Sequence, residues 1–281
     1  MKILVTGVGG QLGYDAMKVL KARNIECLGT DIGDFDITDS KAVFEYIVHY
    51  RPDAVIHCSA YTAVDKAEDN EKLCRKVNEE GPRNIAKACK EIGAKMLYLS
   101  TDYVFPGMGQ APYEVDDPKE PQSVYGSTKL GGEEAVKELL DRYFIVRTSW
   151  VFGKNGNNFI KTMLRLGKEH DKVSVVDDQI GSPTYTADLA PLLCDMIVTG
   201  KYGTYHATNE GYCSWAEFAS EIFRQEGYPT KVRAISTQEF GSKAKRPFNS
   251  RMSKKSLDEA GFHRLPPWRD ALRRYLHEIS D

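Results

Sequence analysis

Tyr125 and Lys129, four residues apart in "SVYGSTKLGGE", are a pair that could do chemistry. On a helix, positions i and i+4 share a face. A cation beside a phenol stabilises the phenolate and lowers its pKa, which makes the tyrosine a usable general acid near neutral pH. The same lysine can hold a ribose. Such a pair is common on helix surfaces, so by itself it says little. A third group stands upstream, where "YLSTDYVFPG" puts Ser100 and Thr101 at the end of an apolar run. A hydroxyl there can hydrogen-bond a carbonyl oxygen presented to Tyr125. The plainer reading of Thr101 is a strand-end turn residue.

A reacting carbonyl needs a partner, and the N-terminus supplies the place for one. "KILVTGVGGQLGYDAMKVL" fits G-x-x-G-x-x-G at Gly7, Gly10 and Gly13, with Gly9 spare. The pattern describes a strand turning sharply into a helix, with Gly10 letting backbone approach a pyrophosphate at the helix N-terminus. Asp31 follows about twenty residues later, at the end of the second strand, where an acid accepts the ribose hydroxyls of an adenosine. No arginine stands beside it in "LGTDIGD" to hold a 2′-phosphate, so NADH is favoured over NADPH. Asp36, in "DFDITD", suits an adenine amine; Asp39 reads equally well as a helix cap.

The elements that must hold these groups alternate. Strand patterns at Lys2–Thr6, Glu26–Thr30, Ala54–Ser59, Lys95–Ser100 and Tyr143–Ser149 are separated by helical patterns. These helices cover Gln11–Arg23, Asp39–Tyr50 (Val43, Phe44 and Ile47 on one face), Lys72–Ile92 with a bend near Gly81-Pro82, and Ser123–Asp141. Alternation of this kind predicts a doubly wound parallel sheet of Rossmann type, with ligands at the carboxyl ends of its strands. Beyond Trp150 the rhythm loosens into a smaller mixed α/β lobe. Ser214-x-x-Glu217 there reads as a capping box opening a helix to about Glu226. Residues 1–152 form the expected first domain and 153–281 mainly the second, with about 173–200 returning to the first.

Composition limits the alternatives. A hydrophobic content of 41% and a charged content of 28% suit a soluble globular chain. With a net charge of −2, no broad attraction to nucleic acid or membrane is implied. No apolar run approaches a membrane span, and no signal-peptide core precedes the first strand, so a cytoplasmic location is expected. Six scattered cysteines without a C-x-x-C pair, and six histidines without a ligand spacing, predict reduced thiols and no metal site.

Gly7, Gly10, Gly13, Thr101, Tyr125 and Lys129 together resemble the extended short-chain dehydrogenase/reductase family. "YTAVDKAE", "STDYVF", "RTSWVFG", "QIGSPTY" and "RPFNS" resemble its members that reduce nucleotide-linked 4-keto sugars. The resemblance runs from Met1 to about Ser250. It implies a Rossmann domain with a smaller nucleotide-sugar domain. It also implies reduction by NAD(P)H of the C4 keto group of dTDP-4-dehydro-L-rhamnose to dTDP-L-rhamnose. By the same resemblance Tyr125 donates the proton, Lys129 tunes it and binds the nicotinamide ribose, and Thr101 orients the keto oxygen. Gln11, Leu12, Ile37, Ala60, Tyr61 and Thr62 join the cofactor set. Thr62, Val64, Asp102, Trp150 and Arg246 join the substrate set, with Arg246 expected at the diphosphate.

Some members dimerise through a metal held by glutamates, one of them in the first helix. Asp15 stands at that place here, which speaks against a metal-linked dimer and leaves a homodimer open. Two other readings stand beside the reductase. One is a related nucleotide-4-keto-sugar reductase or epimerase. The other is an NAD(P)-binding regulatory subunit resembling that of methionine adenosyltransferase, which should lack an intact catalytic set.

Overall fold

The computed structural model describes residues 1–280. Its centre is a six-stranded, wholly parallel sheet. In chain order the first lobe runs β1 (Lys2–Thr6), α1 (Gln11–Ala22), β2 (Glu26–Thr30), α2 (Ser40–Tyr50) and β3 (Ala54–His57). It continues through α3 (Val64–Ala67), α4 (Glu71–Arg75), α5 (Gly81–Ile92), β4 (Lys95–Thr101), α6 (Val124–Leu139) and β5 (Tyr143–Thr148). Then come β6 (Val151–Phe152), α7 (Phe159–Glu169), β7 (Lys172–Val176), β8 (Ile180–Gly181), β9 (Thr184–Tyr185) and α8 (Thr186–Ile197). β10 (Gly203–His206), β11 (Cys213–Ser214), α9 (Trp215–Glu226), β12 (Lys231–Ile235), α10 (Thr237–Phe240), α11 (Lys255–Glu259) and α12 (Trp268–Ser280) complete the chain.

The sheet order is β10-β5-β4-β3-β1-β2, so direction of growth reverses between β1 and β3. A crevice at the carboxyl ends of the strands beside that reversal is where such sheets take ligands. β1, β3 and β4 are almost wholly buried, as strands covered by helices on both faces must be. α1 and α8 pack on one face of the sheet. The other face carries α2, α5 and the C-terminal half of α6.

Three local expectations change. The return of 173–200 to the first lobe is divided. β7 stays in the second lobe, where it pairs in parallel with β12; α8 covers the central sheet and β10 becomes its sixth strand. Phe44 stands exposed while Val43 and Ile47 are buried, because the α2 stripe facing the sheet is narrow. The run from Glu71 to Ile92 is unbroken, and its irregularity is a π-helical stretch, Lys76–Glu80, just before Gly81. Pro82 follows directly on that π turn, at the second position of the next segment.

The second lobe has its own aromatic core, built from α7, α9, α12 and short strand pairs around Phe152, Phe218 and Trp268. Ser214 caps α9 with the reciprocal box its spacing predicts. No helix among the described residues is long and apolar enough to cross a membrane.

Candidate active site

A cleft of about 920 Å³ opens at the carboxyl ends of β1 to β5. The glycine turn forms its floor. Gly7 takes φ +72°, and a Cβ there would stand 2.8 Å from Ser59 N. Gly13 lies inside α1 and outside the cleft lining; its Cβ would meet Gly7 O at 2.2 Å. These two bring backbone onto backbone, and Gly10 precedes the open N-terminus of α1. Gly9 is not spare: its N–H donates to Asp31 Oδ2 at 2.7 Å. Asp31 Oδ1 also accepts the Ile32 N–H at 2.8 Å. The acid expected on the ribose therefore pins the glycine loop as well. Gln11 lines the cleft and reaches across to the second lobe, accepting the Gly153 N–H at 2.8 Å.

Leu12, Asp31, Asp36, Ile37, Ala60, Thr62 and Val64 also line this cleft. Tyr61 does not; its backbone N–H and carbonyl are both held by the buried Asn78 side chain, at 2.8 and 3.1 Å. Asn78 lies in the π-helical stretch and also donates to Thr128 Oγ1 at 3.3 Å. One amide thus ties the loop after β3 to α6. π-Helical turns recur at functional sites because they re-aim a side chain.

Thr101, Asp102, Tyr125 and Lys129 meet on one wall. The Ser123 cap starts α6 so that Tyr125 and Lys129 share a face. Both are buried. Burial first, then the neighbouring Asp102 carboxylate, push the Tyr125 phenol above its ordinary range, with Thr101 working the other way. Lys129 is not the agent that lowers Tyr125. Its Nζ donates to Leu99 O at 2.5 Å and lies 4.1 Å from the centre of the Tyr98 ring. Burial brings this ammonium down to about 7, against the pull of Glu133.

Thr101 Oγ1 donates to Asp102 Oδ1 at 2.9 Å, and Ser250 Oγ from the second lobe donates to Asp102 Oδ2. Burial raises the Asp102 carboxyl to about 6 in spite of both bonds. The hydroxyl expected to steer a keto oxygen thus spends its proton on Asp102.

Behind this wall lies a satisfied charge pair. Glu133, one turn beyond Lys129, accepts from Arg147 Nε at 2.8 Å, Arg147 Nη2 at 2.7 Å and Ser100 Oγ at 2.5 Å. Both charged side chains are fully buried. The guanidinium holds the Glu133 carboxyl below its ordinary range although burial opposes it.

Two substrate expectations divide. Trp150 lines the cleft and stacks on Trp215, a residue the sequence reading passed over. Arg246 does not line it. Its Nη2 pairs with Asp65 Oδ2 at 2.5 Å and its Nη1 donates to Tyr103 OH at 3.3 Å. It faces an adjoining chamber of about 690 Å³ that shares Tyr103 with the cleft. Asp15 is committed elsewhere: buried, it accepts from Thr186 Oγ1 at 2.5 Å.

A glycine turn and a Thr-Tyr-Lys wall on one parallel sheet define an α/β reductase of the short-chain dehydrogenase type. The chain matches the RmlD substrate binding domain family over residues 1–280, and it belongs to that family. A dTDP-4-dehydrorhamnose reductase of Streptomyces griseus is 45% identical over 276 residues, covering 96% of this chain and 91% of that one. The crystal structure of a dTDP-4-dehydrorhamnose reductase from Clostridium acetobutylicum is 45% identical and superposes over all of both chains with a TM-score of 0.98. A Bacillus anthracis reductase of that name, solved in complex with NADP, is 45% identical. It covers 99% of this chain and 100% of that one, with a TM-score of 0.96.

Proposed function

We propose that this chain reduces the C4 keto group of dTDP-4-dehydro-L-rhamnose to dTDP-L-rhamnose, with NADH as the preferred reductant. The carrying observation is that one cleft holds both the glycine turn and the Thr101, Tyr125 and Lys129 wall. The relatives' common activity supports the choice of sugar.

The residues present fit a dinucleotide. Gly7 and Gly13 press the turn flat, and free N–H groups at the start of α1 face an anion. When bound there, the dihydronicotinamide supplies the hydride. Tyr125 supplies the proton: burial keeps its phenol protonated at neutral pH, ready for an alkoxide forming at C4. Lys129, one turn along, presents a cation or a neutral amine near pH 7 and takes the ribose. Thr101 turns its hydroxyl to the keto oxygen when Asp102 releases it, and the raised Asp102 carboxyl makes that release easier.

Asp31 and the absence of any cation but Lys129 among the cleft-lining residues support NADH over NADPH. The adjoining chamber, with Lys243, Lys245 and Arg246, takes the nucleotide diphosphate, with Arg246 leaving Asp65 to meet it. We assign the enzyme to the cytoplasm, where its six free thiols stay reduced. If it pairs with a second copy, Asp15 carries no metal between them, because that carboxylate is spent on Thr186.

The test is purified protein with NADH and a dTDP-4-keto-6-deoxy sugar, with and without a 3,5-epimerase. Stoichiometric NADH oxidation is expected when the epimerase is present. No net oxidation in either arm would overturn the reductase reading; sugar interconversion without it would favour an epimerase, and no binding of dTDP a regulatory subunit.

A further inference from the structure

Trp150 ends the turn after β5 with φ +51°. A bulky residue in the left-handed region is a backbone outlier, and it persists only where its surroundings over-determine it. Three contacts do so here. Its carbonyl accepts the Thr184 N–H at 3.1 Å. Gly181 packs against its indole so closely that a Cβ would stand 2.9 Å from Cε2. The Trp215 indole lies on it, ring centres 3.6 Å apart and planes 13° from parallel.

Trp215 is itself fixed. It is the first residue of α9, directly after the Ser214 cap. Its Nε1 donates to Gln179 Oε1 at 3.2 Å, and Gln179 Nε2 donates to Thr237 Oγ1 at 3.0 Å. Phe159 braces it, with ring centres 4.6 Å apart. Trp150 belongs to the lobe that carries Tyr125, and Trp215 to the other, and both line the cleft.

We propose that Trp215 is a positioning residue: its indole holds Trp150 in the left-handed conformation and so sets the apolar wall that receives the 6-deoxy sugar. The proposal rests on the reading of the cleft as a nucleotide-sugar site. Without Trp215 the strained turn relaxes, the Trp150 indole leaves its place, and the sugar loses its wall while the glycine turn is untouched.

Trp215→Ala, Trp215→Phe and Gly181→Ala decide it, measured by sugar-nucleotide KM, NADH Kd and the exciton couplet of the stacked indoles in circular dichroism. Trp215→Ala should abolish the couplet, raise KM at least tenfold and leave the NADH Kd within twofold. Trp215→Phe should restore KM to within about threefold, since a flat ring remains. Gly181→Ala should displace Trp150 from another contact and raise KM by a similar factor; it carries the test if Trp215→Ala fails to fold.

A Trp215→Ala protein without the couplet but with KM within twofold of wild type overturns the proposal. So does an equal loss of sugar and NADH binding, which marks a merely structural residue. Wild type that neither turns over a dTDP-4-keto-6-deoxy sugar nor binds dTDP overturns the reading of the cleft, and this proposal with it.

Discussion

Glu133 and Lys129 sit one turn apart on the same helix and are both fully buried, yet the protein treats their charges in opposite ways. Glu133 receives a two-point guanidinium and a hydroxyl, and its carboxyl is held below the ordinary range. Lys129 receives one carbonyl and a ring face, and its ammonium falls to about 7. Asp102, across the cleft wall, rises to about 6. Behind the wall, charges are satisfied and fix β4, β5 and α6 against one another. On the wall, burial outweighs the partners present and pushes Lys129 and Asp102 towards their neutral forms.

The largest expected effect is on the support. Arg147→Met leaves Glu133 buried without its partner and should cost about 3–5 kcal/mol of stability, read as a large loss in urea midpoint. A change under about 1 kcal/mol would mean the pair is no support at all.

On the wall the sign should reverse. Lys129→Met removes a poorly compensated cation and should stabilise the protein by about 1–3 kcal/mol while abolishing most activity. A folded-state pKa lowered to about 7 means that the burial cost is full below pH 7 and disappears as pH rises towards the ordinary 10.5. The stability gain of the variant should shrink over that same window. Thermal melts from pH 6 to 10 check it; a gain that grows with pH would contradict it.

Asp102→Asn should show the complementary window. A folded-state value raised to about 6 favours the protonated form, so the wild type loses this stability as pH rises from 3.8 through about 6. The difference is worth about 3 kcal/mol at most. Asparagine should therefore gain on wild type above pH 6 and show no gain near pH 4. The smallest effect belongs to the cofactor. Asp31→Ala should cut the preference for NADH over NADPH by about tenfold, about 1.4 kcal/mol, in kcat/KM. A wild type already preferring NADPH would mean that Asp31 serves the Gly9 loop alone.

Legibility followed range along the chain. The parallel sheet, the Gly7 turn, the Ser214 box and the shared face of Tyr125 and Lys129 are set by neighbours in sequence, and spacing exposes them. What was missed depends on distant segments meeting. Trp215 looks like any first helical residue until β5 and α9 converge. Asn78 has little local signal: apart from Cys74 one turn back, its partners are the backbone at Tyr61 and the hydroxyl at Thr128. Spacing places Lys129 beside Tyr125 but cannot say that its Nζ turns to Leu99. Arg246 shows the same limit: "KRPFNS" offers a guanidinium, and only the fold supplies Asp65.

The most direct measurement is the turnover of Tyr125→Phe. The phenol oxygen is removed and the ring remains, so the cleft keeps its shape and NADH should bind with unchanged Kd by calorimetry. With the proton donor gone, kcat for the dTDP-4-keto-6-deoxy sugar should fall by about 10²–10⁴-fold. Activity within about threefold of wild type, with NADH still bound, would show that the proton comes from elsewhere and that the wall has been misread.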